Sequence, residues 1–265
     1  MTSARRRASP TAPALARSRA GRVLALVLGA LVAAGMFLGA GHEPAPQPVA
    51  TDACTLPAPT PTLVPGSLAL PPHPHVLILG DSYTEGYGAE PKSQGWAHLV
   101  GRPLGWTVTL NGFGGTGYVN RGPQAAGTYV ERLPALAGRS FDLVVVQGGS
   151  NDRDTPYPAL QAAVARTLDA VRAEFPRAAV LILGPSNPYG RADPTRVLVR
   201  CVLVGYAAQQ HLTLIDPVVE HWFVDGDGER YANPANGHPS NAGHRLIASR
   251  FEADLRVLAA PPQIA

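Results

Sequence analysis

Three short stretches of the 265-residue chain place Ser, Asn and His where they can do chemistry, and a fourth is a glycine run. Residues 80–86 read Gly-Asp-Ser-Tyr-Thr-Glu-Gly, with Ser82 just past an apolar run at 76–79. A serine that leaves a strand and opens a helix projects its Oγ at the sheet edge, with its N–H near a helix amino terminus. That suits a nucleophile, although the GxSxG elbow is not matched, because Thr84 holds its last glycine position. Residues 147–152, Gln-Gly-Gly-Ser-Asn-Asp, put Asn151 beyond another apolar run, where its side-chain amide can donate to a developing oxyanion. Residues 233–244 carry His238 and His244 at the start of the last helical pattern. A neutral imidazole is the natural general base for a serine at neutral pH. Taken singly, each of these residues is also what a turn, a helix cap or a helix start uses.

The glycine run 111–118 contains Gly112, Gly114 and Gly117, which spell the dinucleotide fingerprint GxGxxG. That fingerprint has to open a helix and to be followed about twenty residues later by an acid. Here Arg121-Gly122-Pro123 interrupts a helix and Arg132 stands near the acid's place. The glycines are therefore read as a loop whose backbone N–H groups can approach an oxyanion closely.

The elements that must position these residues alternate. Apolar or β-branched runs at 76–79, 107–110, 143–146, 179–183 and 212–215 have the unbroken pattern of parallel strands covered on both faces. Apolar residues recur at three- and four-residue spacing over 159–175, 195–210 and 241–258, as in helices that bury one stripe. The expected fold is α/β, a three-layer α/β/α sandwich around a doubly wound, mostly parallel, flavodoxin-like sheet of five strands, spanning residues 75–258. Ligands in such sheets bind beyond the carboxyl ends of the strands.

In that order along one sheet edge, GDSYTEGYG at 80–88, the glycine loop at 111–118, GSND at 149–152 and HPSNAGH at 238–244 resemble the SGNH (GDSL-type) hydrolase family. The resemblance implies Ser82 as nucleophile and His238 as base. It also implies an oxyanion hole from the Ser82 N–H, Gly115 (with Gly117 as a register alternative) and the Asn151 side chain, and a structural place for His244. The chemistry implied is acyl transfer through an acyl-serine, in an esterase or deacylase acting on short-acyl esters, needing no metal or other cofactor. One position departs from the family pattern: three residues before the base, where an aspartate is usual, stands Ala235, followed by Asn236. Three rescues stay open: a backbone carbonyl on the imidazole, Asn236 in a shifted loop, or Asp225 or Asp227 folding back. Two other functions are carried alongside, an acyltransferase on a surface glycan and a catalytically weakened binding module. Tyr83, Tyr87, Trp96 and Tyr118 are candidates for a sugar-binding edge in a small-molecule or glycan ester site, and equally for core or loop packing.

Composition bears on compartment. With 45% hydrophobic and 15% charged residues the chain is no disordered polyelectrolyte. Six arginines (5, 6, 7, 17, 19 and 22) precede the first acid, Glu43; taking them from the 22 basic residues leaves 16 against 19 acids. The remainder carries no basic surplus for a nucleic-acid surface. The segments expected are a basic cytoplasmic 1–22, an apolar 23–41 that is a membrane anchor or a signal peptide, a proline-rich extended linker 42–74 and a tail 259–265. The membrane is the partner of the amino-terminal segment, and the hydrolase-type domain is expected outside the cytoplasm. Cys54 and Cys201 can pair in an oxidising compartment; otherwise Cys201 is an inert core thiol. Their spacing does not suggest zinc.

Overall fold

A computed structural model describes residues 63–123, 126–191 and 193–261. The basic segment, the apolar run, most of the proline-rich stretch and Cys54 lie outside the described residues. Among the described residues, no helix is long and apolar enough to cross a membrane.

The apolar runs become strands β1 (His75–Gly80), β2 (Thr107–Gly112), β3 (Leu143–Gln147), β4 (Ala179–Leu183) and β5 (Thr213–Ile215). They form one sheet in the order β2-β1-β3-β4-β5, with every pair parallel. The helices are the single turns α1 (Ser82–Glu85), α2 (Trp96–Leu99) and α3 (Gly101–Leu104), the long α4 (Tyr157–Glu174) and α5 (Pro194–Gln210), the short α6 (Gly228–Tyr231) and the closing α7 (Asn241–Ala259).

Successive strand side chains point to opposite faces, so each unbroken apolar run feeds two cores. Leu77, Leu79, Val144, Val146 and Ile182 meet Leu160, Val164 and Leu168 of α4 and Leu198 and Val202 of α5. Ile78, Leu143, Val145 and Leu181 meet Trp96, Ile247, Phe251 and Leu255 on the other side. Burying one such side chain is worth roughly 1.5–3 kcal/mol, which is why the three-to-four spacing of α4 and α7 dictates how they dock. The edges are a three-residue β5 and a half-buried β2 whose alternate residues Thr107, Thr109 and Asn111 are polar, both poor templates for pairing with another chain.

One feature differs from the expected layout. The described end of the proline-rich stretch is packed rather than free: Leu68 is buried at 5% exposure, and Leu63 and Leu70 pack on the same cluster as Phe251. The Leu68 N–H donates to Leu258 O (3.1 Å), one of the carbonyls that the last turn of α7 leaves without a helical partner. Of the two expectations for Cys201, on α5, the disulfide holds: it is disulfide-bonded and is not an inert core thiol.

The strand order reverses between β1 and β3. Chain leaving β1 crosses one way to β2, and chain leaving β3 runs the other way to β4 and β5. The loops beyond the carboxyl ends of β1 and β3 therefore part and leave a crevice. Because residues 63–70 belong to the packed domain, Leu68→Ala is expected to cost roughly 2–4 kcal/mol in urea unfolding; a loss within 0.5 kcal/mol would show the segment to be dispensable.

Candidate active site

Asp81 caps α1, its Oδ1 accepting from the Tyr83 N–H (2.9 Å), so that Ser82 is the first helical residue. From that turn the Ser82 Oγ lies 2.9 Å from His238 Nε2. The histidine arrives on a closed loop. Ala232 and Pro239 form an isolated antiparallel bridge, the Asn233 N–H donates to His238 O (2.6 Å), and Asn233 Nδ2 donates to Gly88 O (2.8 Å). The rings of Tyr83 (5.7 Å between centroids) and Tyr87 (4.7 Å, near perpendicular) flank the imidazole.

His238 Nδ1 lies 3.1 Å from the main-chain carbonyl of Asn236. A carbonyl only accepts, so Nδ1 carries the proton and Nε2 is left bare to accept from the Ser82 hydroxyl. Burial, the main cause, pushes His238 below its ordinary value; the Asn236 carbonyl pulls the other way. Of the three rescues, the structure shows the backbone carbonyl. The Asn236 side chain instead accepts the His238 N–H (3.0 Å) and shapes the turn. Asp225 and Asp227 do not fold back to the imidazole. Asp225 is exposed and faces Arg191 (3.8 Å), while Asp227 Oδ2 accepts the Val224 N–H (2.8 Å) and is spent closing its own turn.

A cleft of about 520 Å³ opens over Ser82, lined by Phe113, Gly114, Gly115, Asn151 and His238 among others. Among the described residues, the N–H groups of Ser82 and Gly115 make no hydrogen bond. Asn151 Nδ2 gives one hydrogen to Thr116 O (2.8 Å) and has a second to offer. Gly115 lines the cleft with φ +74°, a left-handed conformation that favours glycine. Gly117 is required for a different reason: a Cβ there would stand 2.3 Å from the Asp152 carboxylate, and its own N–H is used by Asn120 O. Gly115, not Gly117, faces the cleft.

Several residues that shape the site carried no assignment in the sequence. Asp152 accepts the backbone N–H groups of Tyr118 (2.7 Å), Val119 (3.0 Å) and Asn120 (2.9 Å), tying the glycine loop to the end of β3. Its burial raises its pKa against those hydrogen bonds. Its place beside Asn151 in GSND was the available signal. Arg132, remote in sequence, donates to Gly80 O (2.9 Å) with its guanidinium against the rings of Phe113 (5.1 Å) and Tyr129 (5.2 Å). Thr84 donates to Gln147 Oε1 (2.7 Å) across the β1–β3 crevice. Asp81, buried beneath the nucleophile, is pushed up to about 6 by burial above all.

Of the candidate aromatics, Trp96 and Tyr118 are fully buried and Tyr83 nearly so; they pack the domain and present no edge to a ligand. Tyr87, 41% exposed, is on the cleft, and Phe113, 45% exposed, joins it. His244 is buried with both ring nitrogens spent. Nδ1 accepts from the Trp96 N–H (3.2 Å) and Nε2 donates to Tyr87 O (3.2 Å), tying α7 to α2.

A parallel α/β sheet with a serine, an imidazole in its basic tautomer and converging N–H donors at the switch point is the build of a serine ester hydrolase. The chain belongs to the GDSL-like lipase/acylhydrolase family, whose model matches residues 78–246. A GDSL lipase of Mycobacterium tuberculosis (strain ATCC 25618 / H37Rv) is 32% identical over 186 residues, covering 66% of this chain and 79% of that one. Among solved structures, TesA superposes with a TM-score of 0.56 at 27% identity, covering 69% of this chain and 99% of its own. A family two carbohydrate esterase from Clostridium thermocellum, solved with cellohexaose, superposes with a TM-score of 0.56 at 21% identity, covering 71% and 66%.

Burial pushes His244 down to about 4 from an ordinary 6.5. The unfolded chain therefore takes up this proton at higher pH than the folded one. The stability at stake is whole above pH 6.5 and is lost as pH falls toward 4, up to about 3 kcal/mol. His244→Gln is expected to flatten that part of the stability curve when unfolding of variant and wild type is compared between pH 4 and 7; parallel curves would contradict it.

Proposed function

We propose that the protein hydrolyses short-acyl esters of carbohydrates through an acyl-serine on Ser82. The observation that carries this reading is the 2.9 Å Ser82–His238 contact with the imidazole proton held on Nδ1 by Asn236 O. Ser82 Oγ attacks the ester carbonyl carbon while its proton passes to His238 Nε2. The charge on the carbonyl oxygen is met by the N–H groups of Ser82 and Gly115 and by the second Asn151 amide hydrogen. Collapse breaks the ester C–O bond, and the departing alkoxide takes the proton from Nε2. Water then attacks the acyl-serine, giving its proton to Nε2, and Ser82 is released with the carboxylic acid.

The usual aspartate has two tasks, fixing the tautomer and stabilising the imidazolium. The Asn236 carbonyl performs the first without a full charge. A base of lowered pKa, neutral at physiological pH, fits that arrangement.

A carbohydrate alcohol half is supported by Tyr87 and Phe113, two exposed rings on one cleft, and by the cellohexaose-bound carbohydrate esterase among the fold relatives. Action outside the cytoplasm is supported by the arginines and apolar run of residues 5–41 and by the disulfide at Cys201, since such bonds persist in oxidising compartments.

Ser82→Ala and His238→Ala are each expected to lower kcat for p-nitrophenyl acetate at least about 10³-fold, and Ser82→Ala to abolish labelling by a serine-directed phosphonate; equal labelling would remove the nucleophile assignment. The base works neutral, so kcat/KM should rise with pH along an acid limb centred below 6.5, the ordinary histidine value. Acetate release from O-acetylated cello-oligosaccharides tests the substrate class, and cleavage of p-nitrophenyl esters without any such release would overturn it.

A further inference from the structure

Glu85 stands three residues after Ser82 on α1 and lines the same cleft as Ser82, Gly115 and His238. Its Oε2 accepts the Gly114 N–H at 2.8 Å, and its Oε1 pairs with Lys92 Nζ. We infer that Glu85 is a positioning residue for the proposed reaction: it anchors the glycine loop so that the neighbouring Gly115 N–H is presented to the oxyanion. This inference rests on the acyl-serine chemistry proposed above.

The loop needs such an anchor. Four of the six residues from Gly112 to Gly117 are glycine, the residue that loses most conformational freedom when ordered. The loop's flanks are held by other groups. Phe113 N–H donates to Gly80 O (3.3 Å), Thr116 O accepts from Asn151, and Gly117 N–H donates to Asn120 O (2.8 Å). Within the Gly114–Gly115 pair, the hydrogen bond that the described residues provide through an N–H is the one to Glu85. It lies close to the reacting centre, since a Cβ built on Gly114 would come 3.1 Å from Glu85 Oε2 and 3.9 Å from Ser82 Cβ. By engaging the Gly114 N–H, Glu85 withdraws that donor from the cleft and fixes the peptide plane before the Gly115 amide. Helix α1 thereby carries the nucleophile and the group that aligns its oxyanion donor, so the two move as one body. Oxyanion donors act through preorganisation, and a loosened donor loses its effect in the transition state while leaving ground-state binding nearly intact.

Three variants separate reach from charge. Glu85→Ala removes the acceptor and is expected to lower kcat about 10- to 100-fold, a smaller loss than deleting an oxyanion donor outright, with KM changed less than about 3-fold. Glu85→Asp keeps the charge but retracts it by one methylene and should lose as much. Glu85→Gln keeps an acceptor oxygen at the same reach and should recover to within about 5-fold of wild type. Thermal midpoints are recorded for all three, and the Gln and Asp pair decides the matter if the alanine variant does not fold. Wild-type kcat in Glu85→Ala or Glu85→Asp, a Gln variant as poor as the Ala variant, or a loss confined to KM would each overturn the inference. Ser82→Ala is assayed in parallel: if it stays active, the acyl-serine reading has failed, whereas an inactive Ser82→Ala beside a fully active Glu85→Ala defeats the Glu85 inference alone.

Discussion

The main-chain carbonyl of Asn236 determines which nitrogen of His238 carries the proton, and the chemistry at Ser82 depends on that choice. Were Nδ1 bare and Nε2 protonated, the imidazole would offer Ser82 a donor where a base is needed. A carbonyl can play only one part in a hydrogen bond, so it sets the tautomer as strictly as a carboxylate does. What it does not supply is a full negative charge beside the imidazolium. The loop that brings the carbonyl into place is built from its own polar groups: Asn233 accepts from Ala235 and bonds to Gly88, and the Asn236 side chain takes the His238 N–H.

Behind the site the protein buries ionisable groups that a simple core would avoid. Asp81 and Asp152 are almost fully enclosed, as is Arg132. The two carboxylates are tolerated because they accept from backbone N–H groups, Asp81 at the start of α1 and Asp152 on three consecutive N–H groups. Arg132 donates from Nη2 to the last carbonyl of β1 and lays its guanidinium on the rings of Phe113 and Tyr129, while its Nε and Nη1 have no hydrogen-bond partner among the described residues. These contacts join the carboxyl ends of β1 and β3 to the glycine loop after β2. The switch point of the sheet makes the crevice, and the buried polar groups give it a defined shape.

Much of the architecture was legible before any coordinates. The five strands and the three long helices begin and end within one or two residues of the expected positions, because an unbroken β-branched run and a three-to-four apolar spacing each admit one way of being buried. Ser82 and Asn151 stood out by their places after strands, Gly115 and His238 were picked from their glycine loop and histidine pair by the family resemblance, and the fold brings all four to one cleft. Less legible were residues whose part depends on a distant partner. Arg132 reaches Gly80 across more than fifty positions, and Glu85 meets Gly114 across twenty-nine, with no local pattern to announce either. Asp225 and Asp227 looked available as carboxylates, yet each spends its charge locally. For Tyr118 and Trp96 a ligand-binding edge and core packing were equally open, and both are core; Leu68, among prolines, is core as well.

The amino-acid sequence by itself determined the sheet, the layers and the edge at which chemistry can occur. Those follow from the periodicity of apolar residues, a local property that burial reads directly. It also determined that no aspartate stands at the expected place before His238. Only the tertiary structure decided what replaces it, which glycine faces the cleft and which aromatics are free to meet a ligand. Hydrogen-bond partners across loops are set by distances of about 3 Å and by which donor is already engaged, and neither quantity is encoded in spacing along the chain.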